Sequence, residues 1–245
     1  MKIAVFGTGG VGGYFGARLA ADGHDVAFIA RGRHLDAIRR DGLKVASALG
    51  DVLVKPARAT DDPAAIGPVD VVMLCVKLWD LDEAAQACRP LVAGGGYVIP
   101  FQNGVDAIQR VASGLGAGKV VGGVASIASI IDAPGVIRHT GTMAKILFGE
   151  ADGLRSPRVE QFLAACKKAG IDADVPASIV VAQWRKLALL APASGWTSLT
   201  RQPMGVIRSD PAIRAGLRNA IAEVVAVGRA GGVALDQSAV DETLA

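Results

Sequence analysis

The chain is short of cysteine. Cys75, Cys88 and Cys166 are odd in number, widely spaced and without a CxxC pair, which argues against a disulfide framework or a zinc site and for buried free thiols in a reducing compartment. Long apolar runs are lacking too. The most apolar stretches, near residues 120–131 and 187–196, are interrupted by Gly122, Gly123 and Pro192 and fall short of the roughly 20 residues a membrane span needs. Nor is there a strong excess of one charge: 26 Lys and Arg face 23 Asp and Glu, a net of +3, too little for a nucleic-acid surface built on counterion release. The opening MKIAVFGTGG offers a lysine and an apolar patch, but glycines at 7, 9, 10 and 12 make a poor signal-peptide core. These absences predict a cytoplasmic protein that binds neither nucleic acid nor membrane. No internal repeat or low-complexity linker is evident. His24, His34 and His139 have no partners at metal-ligand spacing, so no metal is expected and surface or loop roles are assigned to them.

What is present is apolar material, 51% of 245 residues, enough for one large domain or two modest ones. KIAVF (2–6) is a β-favouring run that stops at GTGGVGG, and Val11 to Ala21 carries apolar residues at helical spacing. DGHD ends that helix, and VAFIA follows as a strand apolar on both faces. This is a βαβ unit. RHLDAIRRDG reads as a helix, LKVASALGDVLVKP as two strands around a turn near Gly50, VDVVMLCVK as a buried strand, DLDEAAQACRPL as a helix and GYVIPF as another strand. A helix from Val105, a strand KVVGGV, a pair of strands in ASIIDAPGVIRHTG, a strand AKILFG and a helix over 156–169 complete this part. The alternation predicts an α/β, doubly wound parallel sheet. From Ser178 the pattern becomes helical without strands, which divides the chain into a nucleotide-binding domain, 1–177, and an all-helical domain, 178–245. The second is small for an independent core and is expected to lean on the first or on further sequence. Exposed apolar helices there would favour a homodimer.

GTGGVG fits G-x-G-x-x-G between a strand and a helix. Gly7 closes the strand tightly, Gly9 lets backbone amides approach a pyrophosphate, Gly12 permits close helix packing, and the helix N-terminus favours an anion. The loop Gly7, Thr8, Gly9, Gly10, Val11 and Gly12 is therefore the candidate phosphate cradle. Arg31 follows the second strand, where an NAD-specific fold would place an acid against the ribose hydroxyls. A guanidinium there suits a 2′-phosphate instead, so Arg31, helped by Arg33, argues for NADP. The alternative is a solvated arginine at a strand end. Lys77 after LCV and Asn103 in FQNG sit at later strand ends, where ligands bind in open α/β sheets. The lysine suits a phosphate, ribose or anionic substrate, and the asparagine a carboxamide and a carbonyl; either could simply solvate a loop. Trp184 and Trp196 read as packing residues, and Arg201 could meet a substrate carboxylate or a neighbouring subunit.

Taken in order, MKIAVFGTGGVGGYFGARLAADGHDV, Arg31, VDVVMLCVK, FQNGVDA, PGVIRHTG and WRKLALLAPASG closely resemble the ketopantoate reductase (2-dehydropantoate 2-reductase) family over essentially the whole chain. The resemblance implies a Rossmann-type domain and a helical domain that reduce the small-molecule substrate 2-dehydropantoate to (R)-pantoate with NADPH, in pantothenate biosynthesis. It implies that Lys186 is the catalytic lysine, that Asn103 contacts cofactor and substrate, and that Gly7, Gly9, Gly12, Arg31 and Lys77 bind NADPH. An ammonium within reach of a ketone oxygen can stabilise developing charge and donate the proton, although a helical lysine can equally snorkel at a surface. Two departures bear on substrate. Where the family typically has asparagines one and two turns beyond its lysine, this chain has Leu190 and Ser194; Ser194 can bond a carboxylate or hydroxyl, or admit close helix packing. The family's helical domain also continues with a glutamate-bearing segment absent before Ala245, so this domain is expected to be truncated. Reduction of another 2-oxo acid or ketone, and NADP binding without catalysis, are the alternatives.

Overall fold

The computed structural model describes residues 1–236 and 238–244; Gln237 and Ala245, the last residue of the expected helical domain, lie outside the described residues. Two compact units emerge, one of Met1–Gln102 with Asp106–Ile179 and one of Asn103–Val105 with Val180–Ala245.

The first unit opens with β1 (Lys2–Phe6), α1 (Gly10–Ala21), β2 (Asp25–Ile29), α2 (Gly32–Asp41), β3 (Leu43–Ala46), β4 (Val52–Val54), β5 (Arg58–Thr60), β6 (Val71–Leu74), α3 (Leu81–Ala87), β7 (Tyr97–Pro100) and α4 (Ala107–Leu115). Five of these strands form a parallel sheet in the order β5-β2-β1-β6-β7. Alternate residues of each strand face opposite sides, and both sides are covered. Ile3, Val5, Phe28 and Met73 pack with Phe15 and Leu19 of α1 in one core, while Ala4, Phe6, Val72 and Leu74 pack with Leu81 and Ala85 of α3 in the other. Burial on both faces explains why β1, β2, β6 and β7 read as nearly continuous apolar runs. It also makes them costly to alter, each fully buried Phe or Leu contributing about 2 kcal/mol. Strand order reverses direction on either side of β1, so the ends of β1 and β6 form the switch point at which such sheets take ligands.

The remainder of the unit departs from the sequence expectation. KVVGGV, the strand pair of 128–141 and AKILFG are not separate strands of the parallel sheet. They form one long hairpin, β8 (Gly122–Ala133) and β9 (Val136–Gly149). This hairpin belongs to a second sheet, in which β9 runs parallel to β3 and to β10 (Asp172–Asp174), β3 pairs with β4, and α5 (Pro157–Lys168) precedes β10. Gly122 and Gly123 do not break the strand; a Cβ on Gly123 would lie 2.6 Å from the Pro100 carbonyl oxygen, so glycine serves close approach to β7 there. The 156–169 helix is present, capped by the Ser156 hydroxyl, which accepts from the Val159 amide.

The second unit is helical: α6 (Ile179–Thr200), α7 (Met204–Ser209), α8 (Pro211–Ala230) and α9 (Ala239–Leu244). Asp210 caps α8 by accepting from the Ala212 and Ile213 amides, with Pro211 in the first turn where its missing N–H costs nothing. Leu217, Ile221 and Val225 then fall on one helix face and pack with Ala188 and Ile207. Trp184 and Trp196 pack as expected, each against a glycine of α8, Gly228 and Gly216 respectively. α6 continues through Pro192. Among the described residues no helix is long and apolar enough to cross a membrane.

Candidate functional site

At the switch point lies a cleft of about 320 Å³ built wholly from the first unit; its lining includes Gly7, Thr8, Gly9, Arg31, Cys75 and Lys77. The glycines there divide their work. Gly7 has φ +96°, a left-handed backbone that favours glycine, and a Cβ on it would sit 2.8 Å from the Cys75 carbonyl carbon. Gly12 faces inward, where a Cβ would overlap the Gly7 carbonyl oxygen and come within 2.8 Å of Val5 Cγ1. Gly10 packs against the Ser129 backbone of β8. Gly9 differs: a Cβ on it would meet nothing within 4 Å. It caps α1 without a side-chain hydrogen bond, so the first-turn amides, Gly10, Val11 and Gly12 among them, lack an intrahelical partner and confer partial positive charge. Thr8 lines the cleft, but its hydroxyl donates to the Ile29 carbonyl at 3.0 Å and its amide to the same oxygen at 3.0 Å. Its side chain therefore fixes the loop to β2.

Arg31 caps α2 with extended backbone, its carbonyl accepting from the Leu35 amide at 3.4 Å, and is exposed at the cleft; its guanidinium forms no hydrogen bond or ion pair among the described residues. Lys77, also exposed, follows β6 on the other side of the glycine loop; its carbonyl accepts from the Asp80 amide at 3.0 Å, and its ammonium has no such partner among the described residues. Asp80 and Glu83 line the cleft as well, so the positive character is local to Arg31, Lys77 and the helix N-terminus. Ala30, Val76, Ala84 and Ala87 give an apolar floor suited to a flat ring. An open space at Gly9, uncapped helix amides and a guanidinium without a partner among the described residues fit a dinucleotide.

Sequence reasoning missed His34, which lines this cleft rather than serving as a surface or loop residue. Its Nε2 lies 2.8 Å from the Thr8 carbonyl oxygen, and its Nδ1 accepts from the Gly135 amide at 3.0 Å. His139 is also not a surface residue: it is 4% exposed, bonded to Ser47 Oγ at 2.8 Å and the Met143 carbonyl oxygen at 3.1 Å, and packed on Tyr14. His24 sits in the α1–β2 turn beside the N-terminal amine, 3.3 Å away.

Asn103, Lys186 and Ser194 belong to the second unit. Asn103 is exposed in the bend after β7. Lys186, on α6, is half-buried, and burial lowers its pKa below the ordinary lysine value; this is not a fully solvated ammonium. Leu190 and Ser194 lie one and two turns further along the same face, the first half-buried and the second exposed. Arg201, exposed at the end of α6, has φ +55°.

Fold and cleft define an α/β protein of the Rossmann type, the class that takes a dinucleotide at this position. The model of the Ketopantoate reductase PanE/ApbA family matches residues 3–153, and that of its C-terminal region matches 178–245. The 2-dehydropantoate 2-reductase of Mesorhizobium japonicum is 32% identical over 254 residues, covering 95% of this chain and 77% of that protein. An uncharacterized oxidoreductase, YkpB of Bacillus subtilis, is 30% identical over 243 residues, covering 99% of this chain and 80% of its own length. The crystal structure of 2-dehydropantoate 2-reductase from Geobacter metallireducens superposes with a TM-score of 0.92 at 33% identity, covering 100% of this chain and 81% of that one. This chain belongs to the ketopantoate reductase family of oxidoreductases.

Proposed function

We propose that this protein reduces 2-dehydropantoate to (R)-pantoate with NADPH, in the cytoplasm and as a step of pantothenate formation. The observation that carries the reading is an Arg31 guanidinium, unpaired among the described residues, in one cleft with a glycine loop open at Gly9. A guanidinium that is always charged can form paired bonds with a 2′-phosphate, where an acid would repel it. Gly7 and Gly12 hold the loop, Gly9 leaves room for phosphate oxygens at the α1 amides, and Lys77 adds a second cation.

Bound NADPH supplies the hydride. As hydride reaches the ketone carbon, the carbonyl bond opens and negative charge gathers on oxygen. Lys186 stabilises that charge and gives the oxygen a proton, so ketone, hydride and proton together become the secondary alcohol. Burial favours this role, because a lowered pKa makes the ammonium a stronger acid. Asn103 holds cofactor carboxamide and substrate carbonyl, and Ser194 bonds a substrate carboxylate or hydroxyl.

A second reading rests on Leu190. An apolar side chain one turn beyond Lys186 suits a 2-oxo acid or ketone less polar than 2-dehydropantoate. The test is to incubate the chain with NADPH and 2-dehydropantoate and to follow both partners. Appearance of (R)-pantoate equimolar with NADPH loss supports the first reading. Tight NADPH binding without product, but with turnover of a less polar 2-oxo acid, supports the second.

A further inference from the structure

The His34 ring bridges two segments distant in sequence. Its Nδ1 faces the Gly135 amide, which can only donate, so Nδ1 carries no proton and the neutral ring must donate from Nε2 to the Thr8 carbonyl. Burial supports the neutral form by holding the imidazole below its ordinary value of 6.5, against the opposing pull of the Thr8 carbonyl. Gly135 is itself held: it turns the β8–β9 hairpin at φ +77°, its carbonyl accepts from the Lys44 amide at 2.9 Å, and a Cβ on it would come within 3.1 Å of Ala37 Cβ on α2.

The Thr8 carbonyl shares one trans peptide with the Gly9 amide, so its oxygen and the Gly9 hydrogen point in opposite directions. Among the described residues the Gly9 amide has no acceptor, and Gly9 borders open space. Fixing the Thr8 oxygen thus fixes the direction in which the Gly9 N–H is offered. We propose that His34 is a positioning residue for the cofactor pyrophosphate: it clamps the Thr8–Gly9 peptide between β2 and the β8–β9 turn so that the Gly9 amide is aimed into the cleft before any ligand arrives. This rests on the dinucleotide reading of the cleft. It assigns His34 a task different from that of Arg31, since both NADH and NADPH carry the pyrophosphate but only NADPH the 2′-phosphate.

The test measures Kd for NADPH and NADH by titration of the full chain. His34→Ala should weaken both by the same factor, about tenfold, the scale of one well-placed hydrogen bond. His34→Gln, which keeps a donor and an acceptor, should restore most of that loss for both. His34→Lys, which keeps a donor and adds charge but has no acceptor, should not. In the native chain, ¹⁵N shifts should show His34 protonated on Nε2 alone. The proposal is overturned if His34→Ala binds both nucleotides as the native chain does, if only NADPH weakens, if Lys rescues and Gln does not, or if Nδ1 carries the proton. A native chain that binds neither nucleotide would overturn the dinucleotide reading and this inference with it. Native binding with any of the other contrary results would overturn the inference alone.

Discussion

Gly12 lies so close beneath the carbonyl oxygen of Gly7 that a methyl group in place of its hydrogen would overlap that oxygen. Gly9, three residues earlier, has open space in the same place. The two glycines therefore fail differently. Gly12→Ala should lower unfolding stability by about 2–3 kcal/mol, because the overlap is with backbone and a core valine that cannot retreat. Gly9→Ala should leave the thermal midpoint near native, its φ of −88° being ordinary for alanine, yet weaken NADPH by at least about tenfold. Thermal melts and nucleotide titration on both variants check this; equal stability losses would contradict the division of labour.

The proton-donor role proposed for Lys186 sets a pH profile. Its pKa is lowered by burial, so as pH rises through that value the ammonium loses the proton the ketone oxygen needs, and kcat/KM should fall on a limb below 10.5. Lys186→Ala should reduce kcat by roughly 10³ with NADPH affinity little changed. Lys186→Arg should stay low across the range without the basic limb, since a guanidinium does not release its proton. A limb that persists in either variant would assign it elsewhere.

Glu150 stabilises the first unit in a pH-dependent way. Arg158 donates to it through Nε at 2.7 Å and Nη2 at 2.6 Å, and Ser156 Oγ at 2.5 Å. The Arg158 hydrogen bonds, helped by Ser156, hold the Glu150 pKa below its usual value. A depressed carboxyl pKa contributes stability that is present above the unfolded value and lost as pH falls through the folded one. Glu150→Gln should therefore lower stability by roughly 2 kcal/mol at neutral pH, and the difference from native should shrink as pH drops below 4.5. Melting curves across that range decide it; a constant difference would contradict the linkage.

The parallel sheet was legible because its strands are buried on both faces and separated by helices of clear period, so Ile3 to Phe6 and Val71 to Leu74 announced themselves. The β8–β9 hairpin was not. KVVGGV, the strand pair of 128–141 and AKILFG each read as strands, but no local pattern shows that they join into one hairpin: Gly123 serves close packing against Pro100, and Gly141, at φ +76°, stays within β9. β5 and β10 are three residues each and depend on pairing with β2 and β9 that no local pattern reveals. The glycine loop, Arg31 and Lys77 were legible because the motif carries its own geometry. His34 was missed because its partners, Thr8 and Gly135, lie 26 and 101 residues away, and a lone histidine early in a helix gives no sign of either.

The most direct test of the account is the ratio of NADPH to NADH affinity in the native chain and in Arg31→Ala. Two charge-assisted bonds to a 2′-phosphate predict that the substitution weakens NADPH on the order of 100-fold and NADH by less than about threefold. Equal losses for the two cofactors, or a native preference for NADH, would contradict it.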